Sequence, residues 1–209
     1  MKYGDLPKHL GMFNVDGTEM MFYQYLPIKL PGTIEPIYEQ RLSCFNSLIG
    51  VICCDFIGQF GLDRYKEFYL YLTAKRLFQA PGCSFNRTGY HSDGFMTSDI
   101  NYIWSDKNPT VFNKTEFNLT QDDFVSMGEM AEQALISNEV TYPEGSLLRL
   151  NQFNIHKVAQ VTNSHLRTFL KVSFSEDKYD LSGNSRNYMI DYSWTMRARQ
   201  LERNIPQKI

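Results

Sequence analysis

The 209-residue chain lacks most of the features that give a function away early. It has only four cysteines (Cys44, Cys53, Cys54 and Cys83), with no CxxC pair and no zinc-ribbon spacing. That excludes a disulfide scaffold and a cysteine-built zinc site, and the thiols read as reduced. Neither charge sign dominates: 21 Lys and Arg stand against 23 Asp and Glu, a formal net charge of −2. There is accordingly no strong nucleic-acid signature of the kind that bulk positive charge would provide. Long apolar runs are also missing. The longest, Leu48 to Cys54, is stopped by Asp55 and falls well short of the roughly 20 residues that cross a bilayer. The first residues, MKYGDLPKHLGMFNVDG, have no apolar stretch of the secretory type. The expectation is a cytoplasmic protein with no membrane partner. No repeat, low-complexity tract or linker marks a boundary, so residues 1–209 are expected to form a single domain.

What the chain does have is apolar and aromatic material: 43% hydrophobic and 14% aromatic residues against 21% charged. This excludes a disordered or fibrous chain and supplies a core. From Pro36 to about Phe60 the residues Ile37, Leu42, Phe45, Ile49, Ile52 and Phe56 recur at helical spacing, with Gly61 just beyond. One long amphipathic helix is expected, with Gly50 as a point where it could break. Tyr69 to Phe78 is aromatic and β-prone, stops at Pro81-Gly82 and reads as a strand, although a second helix fits almost as well. Beyond residue 83 short strands alternate with turn residues: Ser84 to His91, Ile100 to Trp104, Ser146 to Val158 and Arg167 to Phe174. One helix interrupts them, with Thr120 as its N-cap and Phe124, Met127, Ala131 and Leu135 as its apolar face. The tail is helix-prone around Met196 to Arg203. Helices followed mainly by strands predict an α+β domain whose antiparallel half is a barrel or jelly roll backed by helices.

Only four histidines exist, and two of them lie in suggestive places. His91 sits in Gly89-Tyr90-His91-Ser92-Asp93-Gly94, where residues two apart on an extended segment project to one face. An imidazole beside a carboxylate supplies two of the three protein ligands of a non-haem Fe(II) site; the same pair also describes a hydrogen-bonded structural turn. His156 ends a segment whose alternate positions Leu148, Leu150, Gln152, Asn154 and His156 would share a face that turns polar toward its end. Arg167 opens a strand in which Thr168, Leu170, Val172 and Phe174 form one face while Arg167, Phe169, Lys171 and Ser173 form the other. An inward-facing Arg needs an anionic partner, and a guanidinium matches a carboxylate bidentately.

Taken together, GYHSDG followed by PEGSLLRLNQFNIHKVAQVTNSHLRTFLKVSF resembles the Fe(II)- and 2-oxoglutarate-dependent oxygenases. That family has a His-x-Asp pair, a distal His in a stretch like HxVxxVT, and an Arg about ten residues later that opens a strand. His156-Lys-Val158-Ala-Gln-Val161-Thr162 and Arg167-Thr-Phe-Leu170 match it in order and spacing, over residues 82 to 175. The resemblance implies a double-stranded β-helix (jelly-roll) core at 82–175, with N-terminal helices in 1–80 packed on one sheet and a C-terminal extension at 176–209. It implies metal ligation by His91, Asp93 and His156 and a hold by Arg167 on the far carboxylate of 2-oxoglutarate. Fe(II), 2-oxoglutarate and O2 are then the expected cofactors, a dioxygenase (hydroxylase) the expected activity, and succinate and CO2 the co-products. The second 2-oxoglutarate contact falls to Tyr102, Asn101 or Lys171, and Arg87 is a candidate on the substrate side. The substrate is open between a small molecule, a peptide side chain and a nucleobase. Two other classes remain alongside: a cupin-like metalloenzyme that does not use 2-oxoglutarate, and a non-catalytic β-barrel binding module.

Overall fold

Strict two-residue alternation of side chains sets the architecture. The computed structural model describes residues 2–83 and 88–199. Among them, β1 (Lys8–Met12), β2 (Met21–Lys29), β3 (Tyr69–Gln79), β4 (Ile100–Ser105), β7 (Ser146–Leu150) and β9 (His165–Ser175) form one six-stranded sheet in the order β1-β7-β4-β9-β3-β2. A smaller sheet, ordered β6-β5-β8, is built from β5 (Val111–Asn113), β6 (Glu139–Thr141) and β8 (His156–Lys157). Every pairing is antiparallel, and the longest ladder runs from Tyr69↔Ser175 to Gln79↔His165. Two antiparallel sheets with few helices are compatible with a jelly-roll-like fold.

The large sheet has two differently built faces. One carries Leu70, Leu72, Ala74, Tyr102, Trp104, Leu170, Val172 and Phe174, all buried in the main hydrophobic cluster. Against it lie a 3-10 turn (Gln40–Phe45) and α1 (Asn46–Phe60), which bury Leu42, Phe45, Leu48, Ile49, Ile52 and Phe56. The Phe56 and Phe174 rings stack at 3.9 Å. Gln40–Phe60 is long and apolar enough, by length and composition only, to cross a membrane; here its buried side chains are those facing the sheet. The helix starts later than the periodicity predicts, passes Gly50 without a break, and ends at Gly61, followed by α2 (Leu62–Glu67). The other face of the sheet looks toward the small sheet. Its apolar cluster of Ile103, Phe112, Leu148 and Leu150 is small, and polar residues Asn101, Arg167, Lys171 and Ser173 are buried with it.

Several expectations need correcting. The strand expected over Ser146–Val158 is two strands: Asn154 Oδ1 accepts from the Asn151 N–H at 2.7 Å and Asn151 Oδ1 from the Phe153 N–H at 3.0 Å, closing a tight turn between β7 and β8. Gln152, Asn154 and His156 therefore do not continue the face of Leu148 and Leu150. In α3 (Asp123–Gln133) the N-cap is Asp122, and the buried side chains are Ser126 and Met130. Phe124 and Leu135, expected inside, are about half exposed at 48% and 55%. Strands β1, β2 and β3 all come from the first 80 residues, so that segment is part of the large sheet and not only a support for it. Of the expected Ser84–His91 strand, residues 84–87, including Arg87, lie outside the described residues, as does the end of the Met196–Arg203 segment. The described part of that segment is not helical.

Candidate metal centre

His91 and His156 arrive from different elements and are locked together by the backbone. His156 is fixed by β8, where it pairs with Phe112 of β5. His91 joins it in an isolated antiparallel bridge, each residue donating its N–H to the other's carbonyl at 2.9 Å. The ring centroids are 4.5 Å apart. Beyond Asp93 the chain turns sharply at Gly94, whose φ is +73°. A Cβ there would lie 2.7 Å from Asp99 Cβ and 2.8 Å from Thr97 Oγ1, so only glycine permits the turn. Just before this turn the Asp93 carboxylate lies beside the two imidazoles. The Ser92 hydroxyl donates to the Gln152 carbonyl at 2.5 Å, and Gln152 Oε1 accepts from the Met96 N–H at 3.1 Å. The loop carrying His91 and Asp93 is thus tied to the turn that precedes His156.

The three expected ligands come together: one ligand atom each of His91, Asp93 and His156 lie within 4.8 Å of one another. Both imidazoles are oriented the same way. Nδ1 of His91 lies 3.0 Å from the Gly89 carbonyl and Nδ1 of His156 lies 2.9 Å from the Asn154 carbonyl. A carbonyl only accepts, so each Nδ1 donates to the backbone and ligation is left to Nε2, the arrangement that ligating histidines adopt. His156 Nε2 and Asp93 Oδ2 then face each other at 3.6 Å. Two acceptors opposed beyond hydrogen-bonding distance are what a cation would bridge, so the donor set fits a metal. Two imidazoles and a carboxylate on one side of an ion suit non-haem Fe(II) among divalent metals.

Around this trio the face of β9 is cationic. Lys171 Nζ lies 2.7 Å from Asp93 Oδ2. Burial alone would push the Asp93 carboxyl up; the Lys171 ammonium beside it reverses this, and the carboxyl is held well below the ordinary range. Arg167 is 5% exposed and donates from Nε to the Lys107 carbonyl at 2.8 Å. No carboxylate among the described residues lies within salt-bridge distance of it. Burial lowers its pKa to about 10, with Asp106 acting in the opposite direction. Lys75 of β3, which no sequence motif singles out, stands opposite Phe169 in the ladder between these two cations. Burial, and then repulsion from Arg167 and Lys171, lowers its pKa to about 8. Its only signal in the sequence is an ammonium in mid-strand among aromatic residues, a place that reads as solvent until the second sheet covers it.

The three candidates for a second 2-oxoglutarate contact separate cleanly. Tyr102 lies on the helix-facing side of β4, where its hydroxyl donates to Asp55 Oδ2 at 2.8 Å, so it is removed from the site. Asn101, one residue earlier, is on the inner side: its Oδ1 accepts from the Ser173 hydroxyl at 2.6 Å, and its buried Nδ2 has no hydrogen-bond partner among the described residues. Lys171 is spent on Asp93.

No protein-family model matches the chain, and no curated protein does. Among solved structures it is similar to EvdO2 from Micromonospora carbonacea var. aurantiaca, at 14% identity and TM-score 0.38, covering 67% of this chain and 68% of that one. EvdO2 complexed with 2-oxoglutarate aligns at 14% identity and TM-score 0.37, covering 74% and 76%. Likenesses this distant carry no functional weight, and the chemistry of the site has to be read from its own residues.

Proposed function

We propose that the chain is an Fe(II)- and 2-oxoglutarate-dependent dioxygenase on a double-stranded β-helix core, acting as a hydroxylase. The observation that carries this reading is the convergence of His91, Asp93 and His156, with both Nδ1 atoms already committed to carbonyls, on the same interlayer space that buries Arg167, which has no carboxylate within salt-bridge distance among the described residues.

His91, Asp93 and His156 would hold the iron from one side and leave the other side to ligands. Arg167 would take the far carboxylate of 2-oxoglutarate. A buried guanidinium without a counter-ion is costly, and an incoming carboxylate removes that cost while gaining a bidentate pair in a poorly hydrated setting. Asn101 Nδ2, a buried donor without an acceptor among the described residues, would serve a second oxygen of the same co-substrate. Phe112 and Phe169 border the site, the first 5.5 Å from the His156 ring and the second beneath the Arg167 guanidinium at 4.9 Å, and exclude water from these pairs. With iron, 2-oxoglutarate and O2 bound, the group would supply the oxidising power, releasing succinate and CO2 and delivering oxygen to a C–H bond of the substrate. The substrate is a small molecule, a peptide side chain or a nucleobase, in a cytoplasmic setting.

The test is an anaerobic titration with Fe(II) and then 2-oxoglutarate, followed by the weak visible charge-transfer absorption of the chelate. The band is expected in the wild type and absent in Asp93→Ala. Metal binding without the band would turn the assignment to a cupin-like metalloenzyme that does not use 2-oxoglutarate. No metal binding would leave a binding module.

A further inference from the structure

Lys171 is buried, extends from β9 opposite Thr73, and places its ammonium 2.7 Å from Asp93 Oδ2. That oxygen is also the one that faces the His156 Nε2 lone pair at 3.6 Å. The lysine therefore sits on the carboxylate oxygen turned toward the imidazoles. We propose that Lys171 is an internal stand-in for the metal: it neutralises Asp93 while the centre is empty and gives the carboxylate up when a divalent ion arrives.

The electrostatics of the site support such an exchange. With no cation beside it, Asp93 would be a largely buried, uncompensated charge, and holding it next to the two imidazoles would cost free energy. Lys171 removes that penalty and keeps the three ligands assembled. Once a dication is held by the same carboxylate, the ammonium faces a like charge at short range in a site that already contains Arg167 and Lys75. It has somewhere to turn. Asp99, a buried carboxyl held by the Tyr179 hydroxyl at 2.5 Å, also acts on Lys171, and the Tyr25 ring lies 5.6 Å from its ammonium. Tyr25 is held in a left-handed conformation, φ +48°, with its N–H donating to Thr73 Oγ1 at 3.0 Å, which fixes this aromatic wall. The exchange moves one ammonium between two carboxylates and changes no covalent bond.

The proposal rests on the metal-centre reading above, and its test separates the two. Mn(II), a redox-stable probe, is titrated into metal-free wild type, Lys171→Met, Lys171→Gln and Lys171→Arg, with free Mn(II) followed by its paramagnetic resonance signal. Removing the competing ammonium is expected to tighten Mn(II) binding about tenfold in Lys171→Met and Lys171→Gln, while Lys171→Arg stays near wild type. In parallel, thermal melts of the metal-free proteins should show Lys171→Met and Lys171→Gln below wild type, with excess Mn(II) closing the gap. If wild type binds Mn(II) and both neutral variants bind it equally or more weakly, Lys171 orients Asp93 for the metal and the stand-in role is overturned. If wild type takes up no Mn(II), the metal-centre reading itself falls.

Discussion

The two faces of the large sheet are made by the same strands and do opposite work. Along β9, Thr168, Leu170, Val172 and Phe174 are fully buried toward α1. The intervening Arg167, Phe169, Lys171 and Ser173 look into the gap between the sheets, where one guanidinium and one ammonium are buried. Apolar packing is concentrated on the first face and buried charge on the second. Burying charge costs free energy that the apolar face must offset, so a fold that carries such a site needs a large, well-packed surface on its other side.

That division can be broken from either face. The largest effect is expected from Phe174→Ala, which removes the ring stacked on Phe56. It should cost about 3–5 kcal/mol of folding free energy, read by urea denaturation, while Mn(II) affinity of the folded protein stays unchanged. Next comes Arg167→Met on the inner face. It should weaken 2-oxoglutarate binding about a hundredfold, roughly 2–3 kcal/mol, with metal affinity intact. Folding stability should not fall, because it replaces a buried charge that has no carboxylate partner among the described residues; a marked loss of stability would show that Arg167 is structural. Adjacent residues on β4 give the sharpest contrast. Tyr102→Phe should cost about 1 kcal/mol of stability and leave the co-substrate untouched, whereas Asn101→Ala should raise the 2-oxoglutarate dissociation constant in addition to the stability lost with its hydrogen bond from Ser173.

A separate expectation concerns pH. Lys29, whose ammonium donates to the Phe68 carbonyl at 2.7 Å, has its pKa lowered by burial to about 8. Its folded value lies below its unfolded one, so between pH 8 and about 10.5 the unfolded chain holds more protons and stability rises with pH. Lys29→Met should remove that contribution, which appears as a flatter dependence of melting temperature on pH across the same window.

Much of the site is legible in the sequence because it depends on spacing. His91-x-Asp93, His156 and Arg167 can be picked out in order, and the alternation in β9 names both of its faces correctly. Parity is less readable. Asn101 and Tyr102 differ by one position, and only the pairing of β4 with β9, Asn101↔Ser173 and Tyr102↔Val172, decides which side chain enters the site. The Asn151–Asn154 turn is hidden because its signal, two asparagines capping each other's backbone, sits inside an otherwise strand-like run. Lys75 escapes notice because a lysine in a strand looks solvated until the register of β3 against β9 is known. The partnership of Lys171 with Asp93 joins residues from two distant segments, and nothing local encodes it.

The assembly of His91, Asp93 and His156 into one metal centre stands or falls on iron binding. The most direct test is to reconstitute the wild type and the Ala variant of each residue anaerobically with Fe(II), remove unbound ion, and measure iron per chain by atomic emission. One iron per wild-type chain, lost in all three variants while their melting curves remain cooperative, is the expected result. Iron retained in Asp93→Ala, or absent from wild type, would contradict it.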